Sequence, residues 1–218
     1  MRGLILPEDP VGEALTAVIL GIYVLIVVAG GLPLYRLLRR RYPHNAAVYF
    51  VRKYIHIAAG GVVALLVPSL FTSPLLPALM GLGFAAFLSA TRRLKPLYWF
   101  QTGENAYEVN FTIAWGLGIL ALWTVTGDPR TAVLPALLIA FGDGVTGIVR
   151  NLLFQRRTKH WAGNLAMLPV ATLLGWAYAG LPGLLAGLVA SIVERFEAPP
   201  LDDNALIVIA STIILLLA

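Results

Sequence analysis

The sequence predicts an all-α, polytopic integral membrane protein whose polar chemistry lies on one face, and three observations carry that expectation. Of 218 residues, 59% are hydrophobic and only 12% charged, about half the charged share of a water-soluble domain. Mean hydropathy is +0.82, and the 21 glycines suit helices that approach closely within a bilayer. The Lys and Arg residues are distributed very unevenly between alternate connections. The chain has no cysteine, so disulfides, thiolate nucleophiles and Cys-ligated metals are excluded, and any chemistry rests on carboxylates, amides, His, Lys and Arg.

Eight apolar segments are expected as spans, within one transmembrane domain covering residues 1–218. The first, Val11 to Leu34, follows the acidic Glu8 and Asp9, which argues against a cleaved signal peptide. The others run Ile55 to Leu70, Pro74 to Ala90, Val109 to Thr126, Thr131 to Phe154, Trp161 to Ala179, Leu181 to Phe196 and Asn204 to Ala218. Fourteen of the 16 Lys and Arg residues border the connections of one side; Arg2 and Arg130 are the exceptions. The positive-inside bias puts that side in the cytoplasm and both termini outside. It also explains the net charge of +5 without nucleic acid, and none is expected as a partner. Asn204 to Ala218 gives about 22 Å of helix against a hydrocarbon core of roughly 30 Å. The acidic loop Ala198 to Asn204 is therefore expected below headgroup level. The Gly183-x-x-x-Gly187 pair reads as helix packing, with a homodimer face as the alternative.

Polar residues within and beside these segments supply the candidate site. Asp143, Gly147, Arg150 and Asn151 share one helical face, and with Gly142 they suggest a glycine-smoothed surface where a bulky anion could lie. A buried aspartate on a membrane helix is costly enough to imply a role. Lys159, Gly163 and Asn164 open the next span, where cationic and amide donors suit phosphate oxygens. Arg52, Lys53 and His56 open the second span, and Glu108 and Asn110 the fourth. Glu194, Asp202, Asp203 and Asn204 form an acidic cluster which, converging with Asp143, would offer oxygen ligands of the Mg²⁺ type. Cationic phosphate clamps and anionic metal ligands on one face are the two halves of a nucleotide–Mg²⁺ site.

In these elements the sequence resembles the CTP-dependent polyprenol kinase family, which includes dolichol kinase, phytol kinase and yeast-type diacylglycerol kinase and is more distantly related to CDP-diacylglycerol synthases. The resemblance covers about residues 52–210. It rests on Arg52-Lys53-Tyr54-Ile55-His56, on Gly142-Asp143 followed by Gly147, on Lys159-His160-Trp161-Ala162-Gly163-Asn164, and on Asp203-Asn204. Two departures stand out: Ala162 where the family usually has glutamate, and Val208 where a proline often follows Asp-Asn. The resemblance, closest to archaeal members, implies a cell-membrane enzyme that transfers the terminal phosphoryl group of CTP to a long isoprenoid alcohol on the cytoplasmic face. It implies Mg²⁺ on Asp143 with Asp202, Asp203 or Glu194, and phosphates on Lys159 with Arg52 or Lys53. His56, Asn110, Gly142, Gly147, Arg150 and Gly163 would complete the nucleotide site, with Asn151, Asn164 and Asn204 orienting oxygens or the base. Glu108 would accept the hydroxyl proton. A CTP:lipid-phosphate cytidylyltransferase would use the same nucleotide and metal. A transporter would place charge near the midplane with inverted repeats, whereas this sequence concentrates it on one face.

Overall fold

The computed structural model describes residues 5–103, 105–197 and 201–218. Seven helices dominate them: α1 (Pro10–Leu38), α2 (His44–Leu70), α3 (Leu75–Leu94), α4 (Tyr107–Thr126), α5 (Pro129–Phe154), α6 (Trp161–Val193) and α7 (Asp203–Leu217). The first six are long and apolar enough to cross a membrane. Seven helical stretches stand where eight were expected, because the segments Trp161 to Ala179 and Leu181 to Phe196 are joined without a loop as α6, which nevertheless holds two helices. Inside α6 the backbone leaves helical space at Ala179 and at Gly180 (φ 58°, ψ −138°), a conformation that a side chain would strain. The chain doubles back there. A Cβ on Gly175 would strike the carbonyl of Gly183, and one on Gly187 that of Ala171, the pairing of an antiparallel hairpin. The Gly183 and Gly187 pair is therefore spent on packing within α6.

Local sequence sets the helix starts. Asp9 accepts from the Gly12 N–H ahead of Pro10, Asp128 from the N–H groups of Arg130 and Thr131 ahead of Pro129, and Asp202 from that of Ala205. Each satisfies donors that a helix start leaves free. A second correction concerns α2, which begins at His44 rather than near Ile55. Its first turns bury Ala46, Ala47, Val48 and Val51, so Arg52 and Lys53 lie mid-helix and not in a connection.

Helix α5 forms the centre, with Val133, Leu134, Leu137, Leu138 and Ile139 fully buried. By contrast α1 exposes Val11, Leu15, Val18, Ile19, Ile22 and Ile26, a surface suited to lipid. The connections fall into two groups. At one end Arg157 pairs with Glu197 and lies over the Tyr107 ring, and Arg52 reaches Thr102 and Asn105. At the other, Glu13 accepts from Thr72, and Arg130 donates to the Ala177 carbonyl.

Two π-helical turns interrupt the bundle, His56–Gly61 in α2 and Leu138–Gly142 in α5, and they pack against each other. A wide turn frees carbonyls from the helical ladder, and here Tyr23 donates to Ala58 at 2.6 Å and Trp115 to Gly60 at 3.0 Å. Such turns recur at functional sites. The first begins at His56 and the second ends against Asp143.

Candidate functional site

Asp143, Glu194 and Asp203 come together from α5, the end of α6 and the start of α7. Each offers a carboxylate oxygen, and the three oxygens lie within 4.8 Å of one another. Cations interleave them. Lys53 donates to Asp143 Oδ2 at 2.6 Å, and Lys159 donates to Asp203 Oδ2 at 2.6 Å and to the Glu194 carbonyl at 2.7 Å. Arg150 grips Glu194 with two bonds of 2.7 and 2.8 Å. Nδ1 of His56 lies 3.5 Å from Asp143 Oδ2, with the ring stacked on Phe111 at 4.0 Å between centroids.

Asp143 is 1% exposed, yet among the described residues its Oδ1 has no hydrogen-bond partner; the buried Asn204 Oδ1 and His56 Nδ1 likewise find none among them. A buried carboxylate oxygen without a partner is costly. Three carboxylates with spare lone pairs are the donor set that a hard divalent cation takes. Among the described residues, Asp143, Glu194 and Asp203 are the group able to hold one.

The sequence-derived candidates divide sharply. Asp143, Lys159, Asp203, Glu194, Lys53 and His56 meet in this cluster, with Asn204 beside Asp203. Asp202 does not: its two oxygens accept from Ala205 N–H and from Asn110 Nδ2 at 3.1 Å, so it caps α7 and ties it to α4 instead of serving as a ligand. Asn110 is accounted for by the same bond. Glu108 lies in a second knot, where Arg92 at 2.8 Å, Arg52 at 3.3 Å and Gln101 at 3.3 Å all donate to it. Both of its oxygens are therefore taken up by protein donors.

The glycine-smoothed surface is also corrected. A Cβ on Gly147 would overlap the Lys53 side chain, one on Gly163 the Arg150 guanidinium, and one on Gly142 Met167. These glycines seat protein side chains rather than an external anion. Arg150 is 1% exposed and spends its remaining donors on the His160 carbonyl and Asn164 Oδ1, each at 2.8 Å. Asn164 in turn donates to the Ser191 carbonyl at 2.6 Å, closing the α6 hairpin, and Asn151 fastens α5 to the Ala46 carbonyl at 2.8 Å. Arg150, Asn151 and Asn164 are thus positioning residues. No family model, no curated protein and no solved structure matches this chain.

Beside the cluster is a polar bowl of about 750 Å³ lined by His44, Tyr49, Arg52, Tyr98, Arg156 and Arg157, among others, within the volume range of small-molecule sites. Tyr49 joins bowl to cluster, since Lys53 Nζ lies 5.2 Å from its ring centroid. Sequence reasoning passed over Tyr49, although it stands one helical turn before Lys53 on the face shared with Arg52 and His56.

Proposed function

We propose that the protein is a CTP-dependent lipid kinase of the membrane, transferring the terminal phosphoryl group of CTP to the hydroxyl of an isoprenoid alcohol. The observation that carries this reading is the cluster of three carboxylates, Asp143, Glu194 and Asp203, matched by three cations, Lys53, Lys159 and Arg150. As it stands the cluster is neutral. A divalent cation brings two positive charges into buried surroundings, so it is best admitted together with an anion, and a metal–polyphosphate complex supplies both. The arginine-lined bowl beside it has the size and charge for the rest of a nucleotide. The order of motifs along the chain supports the same family.

In this reading Lys53 and Lys159 turn from their carboxylates to phosphate oxygens when the nucleotide enters, while Arg150 keeps Glu194 in place. A bound Mg²⁺ would supply charge stabilisation on the transferring oxygens. The acceptor oxygen bonds to the γ-phosphorus, the bond from that phosphorus to the bridging oxygen breaks, and CDP leaves with the electron pair. The hydroxyl proton departs on the product phosphate, because a loose phosphoryl-transfer transition state asks little of a base. Glu108 is not needed for it. The active face is the cytoplasmic one in this proposal, on the strength of the basic connections around it.

One observation favours a second reading. Arg52, a cation, also borders the apolar cavity beside His56, and a cation there suits a lipid phosphate, the acceptor of a cytidylyltransferase. Labelling separates the two. Purified protein given Mg²⁺, geranylgeraniol and γ-labelled CTP is expected to move label into a lipid monoester and release CDP, with Asp143→Asn lowering the rate by about a hundredfold or more. Cytidine label entering the lipid from a lipid phosphate, without γ-transfer to any alcohol, would replace the kinase by the cytidylyltransferase.

A further inference from the structure

The two sides of the polar bowl differ in chemistry. Along one face of α2, His44, Val48 and Arg52 stand at i, i+4 and i+8, and all three line the bowl. The next residue, Lys53, bonds Asp143 of the carboxylate cluster at 2.6 Å, so His44 lies about 14 Å before Lys53 along the helix. Arg157, also in the lining, pairs with Glu197, and Glu197 is 3.6 Å from Lys159 Nζ. Guanidinium groups therefore mark the side of the bowl near the cluster, and His44 with Tyr98 the far side.

That far side is an aromatic corner braced by α1. The Tyr35 hydroxyl meets His44 Nδ1 at 2.8 Å, and the Tyr35 ring stands nearly perpendicular to those of His44 and Tyr98, with centroids 5.8 and 5.6 Å away. Three rings closer to the cluster have cations over their faces: Lys53 over Tyr49, Arg52 and Arg157 over Tyr107, and Arg195 over Trp161. Tyr98 is 49% exposed, and among the described residues no cation lies over its ring.

We infer that the bowl sets the direction of a nucleotide: the base stacks on Tyr98 beside His44, and the phosphates run past Arg52 and Arg157 to the carboxylate cluster. The inference rests on the nucleoside triphosphate of the proposed function and adds where its base lies. A base offers a flat π-face, and an open tyrosine ring held by its neighbours is a stacking platform for it. The reverse orientation would set an uncharged ring among the charges of the cluster and leave the phosphates at Tyr98, away from Lys53 and Lys159. The face of α2 thus works as a ruler, with a ring platform at its start and a phosphate-binding cation nine residues on.

The test is photocrosslinking of the whole chain, in lipid nanodiscs with Mg²⁺, by CTP iodinated on its cytosine, which couples to aromatic side chains under ultraviolet light. Adducts located by mass spectrometry are expected on Tyr98 or His44 and are suppressed by excess CTP. Tyr98→Ala is expected to raise Kd for CTP, read by equilibrium dialysis, about tenfold with the unfolding midpoint unchanged, and Tyr98→Phe to recover most of that loss. Wild-type Kd in a folded Tyr98→Ala protein, adducts on Tyr107 or Trp161 with none at Tyr98 and His44, or no adducts at all would overturn the inference. The kinase reading is judged separately. Transfer of γ-label from CTP into lipid with base adducts elsewhere sinks the inference alone, whereas adducts on Tyr98 without phosphoryl transfer to any alcohol sink the kinase and leave the base site standing.

Discussion

Lys53 and Arg150 show how a single glycine positions a charge. Each long cation crosses a helix surface at a residue with no side chain, Gly147 for Lys53 and Gly163 for Arg150. The ammonium thereby arrives 2.6 Å from Asp143 and the guanidinium 2.7 Å from Glu194. Gly147→Ala is expected to displace Lys53, costing about 1–3 kcal/mol of stability through overpacking and a larger share of activity. Thermal unfolding in detergent and steady-state turnover would measure the two separately. Arg150→Met is a different case, since it leaves buried Glu194 with Lys159 as its one cation and the Asn164 amide beside it, and a loss of about 3–5 kcal/mol is expected. Equal, small losses for Arg150→Met and for a substitution at exposed Arg156 would show that Arg150 is not the structural clamp described.

Among elements, α5 and the α6 hairpin carry the site, and both depend on local devices far from it. Asp128 starts α5 at the end of the bundle opposite the carboxylates. Burial alone would push its carboxyl up, but bonds from Thr131 and Arg130 outweigh this and hold it below its ordinary value of 3.8. A carboxyl held low in the folded state contributes stability above its unfolded value and loses it as the pH falls through the folded one. Asp128→Ala is therefore expected to cost about 1 kcal/mol near neutrality, and the gap to the wild type to close in strong acid. Unfolding midpoints across that range check it; a gap that widened in acid would contradict the cap. In α6, Gly175 and Gly183 touch backbone to backbone. Gly183→Leu is expected to open the hairpin, move Glu194 away from Arg150 and abolish activity together with folding yield.

At the scale of the whole molecule, the basic connections gather at one end with the bowl and the carboxylate cluster, while Arg130 is the one Lys or Arg among the described residues at the other end. Because the chain has no cysteine, introduced ones report cleanly. Tyr98→Cys is expected to react with an impermeant maleimide only from the cytoplasmic side, and Thr126→Cys only from the other. Labelling of both from one side would break the two-ended arrangement, and the reverse pattern would move the active face outside.

Much of this was legible in the residues alone, and the division has a physical cause. Hydropathy and the uneven placement of Lys and Arg, both additive along the chain, were enough for an all-helical membrane protein with its charges on one face. Helical periodicity placed Asp143, Gly147, Arg150 and Asn151 on one face, the cost of burying charge singled out Asp143, and the place of Lys159 at a helix start singled out that cation. What periodicity does not contain is the partner across a helix interface. Lys53 and Asp143 are 90 residues apart, and only the packing of α2 on α5 decides that Lys53 fills the space over Gly147. The same holds for Glu108, a site candidate by sequence as Glu194 was, yet held by Arg52 and Arg92, and for Asp202, which differs from Asp203 by one residue and faces Asn110 instead of Lys159. Neighbours in sequence point to different faces of a helix, and which of those faces meets a charge is settled by tertiary contact.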